Sequence, residues 1–392
     1  MQDVFFLAGQ RTAIGDFGKS LKDVPPTKLG EIAIRAALAR GGVEAGEVQH
    51  VVMGNVIHTE PRDAYLSRVA AIEAGIPVET PALTVNRLCG SGLQAIISAA
   101  QTIMLGDADI AVAGGAESMS RGGFLLPNER WGARLGDGKV VDMVVGALHD
   151  PFGHGHMGIT AENIASRYQI TRETQDSFSA ESHRRAAAAI AEGRFKTQIT
   201  PVEIPSRKAP IIFDTDEHVR GETTADSLAA LRPAFKKDGS VTAGNASGLN
   251  DGGAAVVLVS GAEAARRSKK PMARLAAYGH AGVDPEFMGL GPIPASRKAL
   301  AKAGITIDDI DVIESNEAFA SQACAVARDL GFPPEKVNPN GGAVALGHPI
   351  GASGAIIAIK ALYELERIGG RYALVTMCIG GGQGIAVVLE RV

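Results

Sequence analysis

The sequence predicts an α/β fold of two related halves, with a large insertion in the first half. Three observations predict it. Apolar runs of strand length alternate with longer helical stretches, as in sheets built mainly on parallel strands. The stretch 91–105 is apolar nearly all round (Leu93, Ile96, Ile97, Ile103, Met104), so it belongs between layers and not on a surface. The order of elements around it also returns near the C-terminus.

Along the chain, MQDVFFLAGQRTAIG reads as a short strand and a turn, and it lacks the charged start and long apolar core of a signal peptide. VVMGNVI, a helix near 62–75, PALTVN, GLQAIISAAQTIML and DIAVAGG follow, giving alternating strands and helices with sheets on both sides of a central helical layer. In the second half DVIESNEAF (311–319) repeats the pattern of HVVMGNVIH (50–58), a buried strand with an asparagine at its polar tip. GASGAIIAIKALYEL, starting at Gly351, mirrors GSGLQAIISAAQTIML, starting at Gly90, and a strand follows each: RYALVTMC and DIAVAGGA. Two weakly similar halves point to duplication and a pseudo-twofold. The expected division is 1–118, completed by 250–270, for the first half and 271–392 for the second.

The segment 119–249 differs. It holds the single tryptophan, several prolines and many charges. One amphipathic helix is expected at 171–195, with Thr171 as N-cap and Glu173 in the first turn. The rest reads as long loops, which in compact enzymes serve function.

Composition excludes several classes. The chain has 392 residues, too many for one core of ordinary size, and its hydrophobic and charged fractions are those of a globular protein. Its 48 glycines form no periodic or serine-rich tract, so they indicate close packing and tight loops. The net charge is −4 without a basic block, so neither nucleic acid nor a membrane surface is an expected partner. No charge-free apolar run approaches the ~20 residues of a membrane span. Three cysteines, an odd number, argue against a disulfide framework, so a reducing cytoplasm is expected.

Cys89 is placed by the sequence at a strand end, opening a Gly-Ser-Gly turn into the apolar helix. The free N–H groups and positive end of that helix favour a thiolate there; the competing reading is a small buried hydrophobe. Cys378, in VTMCIGGGQG, precedes three glycines whose N–H groups can form a nest for an oxyanion. The repeat does not equate it with Cys89, so it is given a separate role. Cys324 reads as a core cysteine. His348 lies in a glycine-rich loop before a second apolar helix, held where backbone can approach a ligand; a surface loop histidine is the alternative. Asn316 ends a strand and can equally cap the next helix. His154 and His156 have the spacing of a metal pair, but no third or fourth ligand accompanies them, so no metal is expected. Neither a phosphate-binding loop nor a dinucleotide fingerprint is present.

Together, NRLCGSGLQA, GGAESMS, SNEAFA, NPNGGAVALGHPIGASGA and MCIGGGQG, in this order, resemble the thiolase family of the acetyl-CoA acetyltransferase or β-ketothiolase type, over essentially the whole chain. The resemblance implies two duplicated α/β domains in five α-β-α-β-α layers, with 119–249 as a loop domain for coenzyme A binding and oligomer contacts. It implies Cys89 as acylated nucleophile and His348 as its activator. Cys378 is the implied acid/base. Asn316, through a water, joins His348 in holding the enolate oxygen, and the N–H groups of Cys89 and Gly380 make a second oxyanion hole. Coenzyme A and acyl-CoA are implied as substrates, with no prosthetic group, and the oligomer as a homotetramer of dimers.

By the same resemblance Leu148, His156 and Met157 line the pantetheine path. Arg220 and Ser227 lie toward the adenine, Ala243, Gly244, Ser247 and Leu249 form a cofactor-side wall, and Met288, Ala318 and Phe319 shape the acyl pocket. HDPFGHGHMG departs from many relatives before HMG. A 3-oxoacyl synthase would pair one cysteine with two histidines, or with His and Asn, and the cysteine in CIGGG argues against it. A non-catalytic acyl-CoA carrier would lack Cys89 or His348.

Overall fold

A computed structural model describes residues 2–132 and 134–392. The first half contains β1 (Val4–Thr12), α1 (Pro26–Gly41), β2 (His50–Gly54), α2 (Leu66–Glu73), β3 (Ala82–Val85), α3 (Ser91–Leu105) and β4 (Ile110–Ser118). The insertion carries α4 (Met157–Tyr168) and α5 (Arg172–Ala191), after which β5 (Asn250–Ser260) returns between β1 and β4. The second half contains β6 (Ala273–Gly282), α6 (Pro292–Ala303), β7 (Val312–Ser315), α7 (Ala320–Leu330), α8 (Ile350–Ile368), β8 (Tyr372–Ile379) and β9 (Gln383–Arg391).

Among the described residues the main sheet has eleven strands, and its path runs β7-β8-β9-β6-β1-β5-β4-β2-β3. The two halves of this path mirror one another across β1 and β6, which share only the short antiparallel register Phe5↔Arg274 and Phe6↔Ala273. Direction departs from the expected mainly parallel sheet. β2 pairs in parallel with β3 and β4, and β7 with β8, because helices make those crossovers. Elsewhere along this path the pairing is antiparallel, including β8–β9, where a three-glycine loop reverses the chain between Ile379 and Gln383; off the path, Ile199–Thr200 pairs in parallel with β1.

Side-chain alternation shows the layers. Along β5, Val256 and Leu258 enter the central core with Leu93, Ile96 and Ile97 of α3 and Ile356 and Ile359 of α8. Val257 and Val259 point the other way, onto Leu29 and Ile34 of α1. In the second half Ile385 and Val387 of β9 face the centre, while Ala386 and Val388 meet α6 and α7 through Ile293 and Val326. Both faces of each half-sheet are covered, which is why its strands read as continuous apolar runs. Against the expectation from the sequence, the charge-free stretch Leu88–Leu105 does have the length and composition to cross a membrane. Here it is the turn and helix α3 at the centre of the fold, packed on β2, β4 and α8.

The insertion is less irregular than expected. α4 occupies a stretch that the sequence assigns to loop; it starts where the His156 ring accepts the N–H of Gly158. α5 starts as expected, with Thr171 accepting from the Thr174 N–H, but its buried face is small and polar (Gln175, Asp176, Ser179, Ser182, His183) and not apolar. A fully buried ion pair fastens the insertion to the sheet: the Arg11 guanidinium meets both Asp216 oxygens at 2.7 and 2.9 Å.

Candidate active site

The nucleophile turn is over-determined. β3 ends at Val85, four residues before Cys89, so Cys89 lies in a turn and not at the strand end. Leu88 holds φ at 45°, a left-handed conformation costly for a branched residue. Its N–H donates to Asn86 Oδ1 at 2.9 Å. Ser91 Oγ accepts the Arg87 N–H at 2.8 Å and donates to the Leu88 carbonyl at 2.7 Å. Glycine follows closely packed: a Cβ on Gly90 would stand 2.5 Å from Ile379 Cδ1, so that side chain would have to move. The Cys89 turn therefore presses directly on the strand that carries Cys378.

Burial pushes the Cys89 thiol up to about 11, against the lowering effect of the Gly380 N–H and of its own N–H. The expected helix-end thiolate is thus not the resting form; the donors offset only part of the desolvation. Cys378, almost wholly buried, is raised by burial and then by the neighbouring Cys89. Both cysteines rest as thiols.

His348 is fixed on three sides. Its main-chain N–H donates to Asn250 Oδ1 at 2.9 Å. Its Nδ1 lies 2.6 Å from Ser353 Oγ, whose own hydrogen goes to the Pro349 carbonyl at 2.9 Å. Ser353 can therefore only accept from the ring, so Nδ1 carries the proton and Nε2 is the free base. Burial lowers His348 to about 4, so the imidazole rests neutral. Asn316 Nδ2 is 3.5 Å from His348 Nε2, and its buried Oδ1 has no protein partner. Asn316 thus stands beside the free ring nitrogen, although it is not among the residues that line the main cavity.

That cavity, about 50 Å³, is lined by Leu88, Cys89, Ala147, Leu148, Met157, Ser247, Met288, Ala318, Phe319, His348, Ile350, Cys378 and Gly380. It unites four of the five residues given catalytic roles above with Leu148, Met157, Ser247, Met288, Ala318 and Phe319. The others lie apart. His156 caps α4 and stacks on Phe235 at 4.7 Å. Leu249 packs in the small cluster that Cys89 and Leu148 also touch. Gly244 meets Leu228 and Leu231 beside the exposed Ala243. Ser227 sits in the first turn of the short helix Ala225–Ala229, its Oγ accepting the N–H of the cap residue Thr224 at 3.0 Å, and the Arg220 N–H donates to His183 Nδ1 at 3.2 Å. Arg220 and Ser227 are exposed and do not reach the cavity.

Sequence reasoning missed Ser353, Asn250, Ala147, Ile350 and Leu88. Ser353, five residues after His348 and in the first turn of the following helix, was the discoverable one. Among the described residues no group of three or more His, Cys, Asp or Glu is placed to hold a metal ion.

Comparison with known proteins identifies one family over nearly the whole chain. The family profile described as the thiolase N-terminal domain matches residues 4–262, and the thiolase C-terminal domain matches 269–391. The chain is 63% identical over 392 residues to beta-ketothiolase BktB of Cupriavidus necator, covering 100% of both. It is 51% identical over 393 residues to the acetyl-CoA acetyltransferase of Pseudomonas aeruginosa, again covering 100% of both. Among solved structures, the Bacillus anthracis acetyl-CoA acetyltransferase superposes with a TM-score of 0.98 at 46% identity, over 100% of this chain and 99% of that one. Human mitochondrial 3-ketoacyl-CoA thiolase in complex with CoA superposes with a TM-score of 0.97 at 44% identity, over 100% and 98%.

Proposed function

The chain belongs to the thiolase family, acyltransferases that condense two acyl-CoA molecules to 3-oxoacyl-CoA and free coenzyme A or reverse that reaction by thiolysis, and from that premise we propose how its residues divide the work. Cys89 is the acyl carrier. As its sulfur attacks the thioester carbon, its proton passes to His348 Nε2, and the oxyanion is met by the N–H groups of Cys89 and Gly380. The departing coenzyme A sulfur takes the Cys378 proton, leaving Cys378 a thiolate. In the condensing half, that thiolate removes the α-proton of the second acyl-CoA, and His348 with Asn316 stabilises the enolate oxygen. The new carbon–carbon bond forms as the bond to Cys89 breaks, and the departing Cys89 sulfur takes back its proton from His348 Nε2.

The observation that carries this reading is the convergence of Cys89, His348, Cys378 and Gly380 on one apolar cavity. The cavity is small and its lining mostly apolar, which favours a short acyl group. Steady-state thiolysis of 3-oxoacyl-CoA substrates of increasing length tests it. Coenzyme A-dependent cleavage that is fastest for short chains is expected; no cleavage at any length would overturn it.

Coenzyme A is a substrate here and no prosthetic group is required, since each proton and electron pair above has a protein or substrate partner. A homotetramer of dimers is supported by two exposed apolar surfaces. One is the edge strand β3 with Leu83, and the other is the region 124–140 with Phe124, Leu126, Trp131 and Leu135. The 3-oxoacyl-CoA chemistry supports a place in fatty acid metabolism. A reducing cytoplasm accords with three free cysteines.

A further inference from the structure

We propose that Glu117 is a positioning residue for acyl transfer: its carboxylate seats the first turn of α8, and with it His348, against the Cys89 pocket. The inference rests on the reading that His348 is the base for Cys89. Glu117 ends β4, is fully buried, and has no cationic partner among the described residues. Its two oxygens accept four N–H groups. Oε1 takes the Ile57 N–H and Asn55 Nδ2, both at 3.1 Å. Oε2 takes the Val56 N–H at 3.1 Å and the Gly351 N–H at 2.9 Å.

These donors come from two walls of the site. Val56 and Ile57 follow β2, while Gly351 opens α8, three residues after His348. Ile57 and Ile350 both pack in the cluster that Cys89 touches. The seat is tight. A Cβ on Gly351 would stand 2.6 Å from Glu117 Oε2, and Cβ atoms on Gly54 and Gly115 would stand 2.8 and 2.1 Å from the Gly351 carbonyl oxygen. The Gly351 peptide is therefore gripped at its N–H by Glu117 and pressed at its oxygen into a slot that only glycines leave open. The ring of His348 and its partner Ser353 both ride on this turn, so any shift of it moves the base relative to the sulfur.

Four N–H donors and no acceptor suit the ionised carboxylate, and the positive end of α8 favours it further. Burial acts in the opposite sense, pushing Glu117 up to about 8. Glutamine offers one oxygen, and its NH2 would face two N–H groups in a space closed to water. Apart from His348 and Ile350, the cavity lining lies on other segments, so the grip bears on the base far more than on the rest of the substrate wall.

The test is Glu117→Gln, measured as kcat and KM for thiolysis together with moles of acetyl group taken up per chain. We expect full acetyl uptake, KM values within about twofold of the parent, and kcat lower by roughly ten- to a hundredfold, the scale of a misplaced catalytic group. Unchanged kcat, a change confined to KM, or a kcat loss that only tracks lost acetylatable chains would each overturn the proposal. Should the Gln variant not fold, Glu117→Asp, which keeps the charge but withdraws it from Gly351, must show the same split. Failure of both to fold would assign Glu117 to stability alone and overturn the proposal. A parent enzyme that takes up no acetyl group would instead defeat the functional reading, whatever Glu117 does.

Discussion

Burial drives Cys89 and His348 toward the same condition, an uncharged one. The thiol is raised to about 11 and the imidazole lowered to about 4, so the resting pair holds no ion pair. A proton moves from sulfur to ring only as the sulfur–carbon bond forms, when the oxyanion donors begin to stabilise charge. A raised thiol pKa means that the thiolate fraction is small at neutral pH and grows about tenfold per pH unit below the pKa. Alkylation of Cys89 by iodoacetamide should therefore accelerate steadily from pH 6 to pH 9; a rate that levels off below pH 8 would show a thiolate at rest. Ser353 supplies the second residue-scale prediction. Ser353→Ala removes the acceptor for Nδ1–H and releases the tautomer, so kcat should fall about tenfold or more while KM stays near the parent value. Ser353→Thr, which keeps the hydroxyl, should recover most of that loss. Equal kcat in the Ala and parent enzymes would mean that the ring is oriented by its backbone alone.

At the scale of elements, the site is a meeting of strand ends with helix starts. The turn before α3 brings Cys89, the end of β8 brings Cys378, and the turn before α8 brings His348. Gly90 packs directly on Ile379, next to Cys378. Gly90→Ala should cost about 1–3 kcal/mol, as overpacking does in a filled core. It should also slow the enzyme by parting the two cysteines. Adding Ile379→Val should restore part of both, as measured by thermal melting and by kcat; additive losses would place the strain elsewhere. The catalytic motifs were legible in the sequence because each is a short contiguous run of glycine and one reactive residue at such a junction. α4 was not legible, because glycine and threonine sit in its first turns and its buried face carries Glu162. That carboxylate becomes acceptable only through the N–H groups of Ser240 and Val241, nearly eighty residues on. The Arg11–Asp216 pair and the seat of Glu117 were hidden for the same reason: their partners lie far away in sequence. The antiparallel return of β5 escaped notice because alternation of strands and helices reports connections and not the direction of a strand that follows a long insertion.

For the whole molecule, duplication accounts for the form of the site. Two half-sheets, each covered on both faces, enclose α3 and α8, and the N-termini of these two buried helices carry the nucleophile turn and the histidine turn. The halves have diverged at these termini: one start faces the Cys89 pocket, the other is held by Glu117. The insertion then walls the cavity with Leu148, Met157 and Ser247, leaving exposed apolar side chains on 124–140. Replacing Trp131 and Leu135 by serine should split the proposed tetramer into dimers in light scattering without loss of fold; an unchanged mass would remove that surface from the assembly. The central claim is the division between an acyl-carrying Cys89 and a proton-moving Cys378. It is tested most directly by peptide mass spectrometry of the parent and of Cys378→Ala after incubation with acetyl-CoA and acid quench. The account predicts an acetyl group on Cys89 in both proteins, formed more slowly in the variant because the departing thiol loses its proton donor, with condensation lost only in the variant; an acetyl group on Cys378 in the parent, or none on Cys89 in the variant even after prolonged incubation, would contradict it.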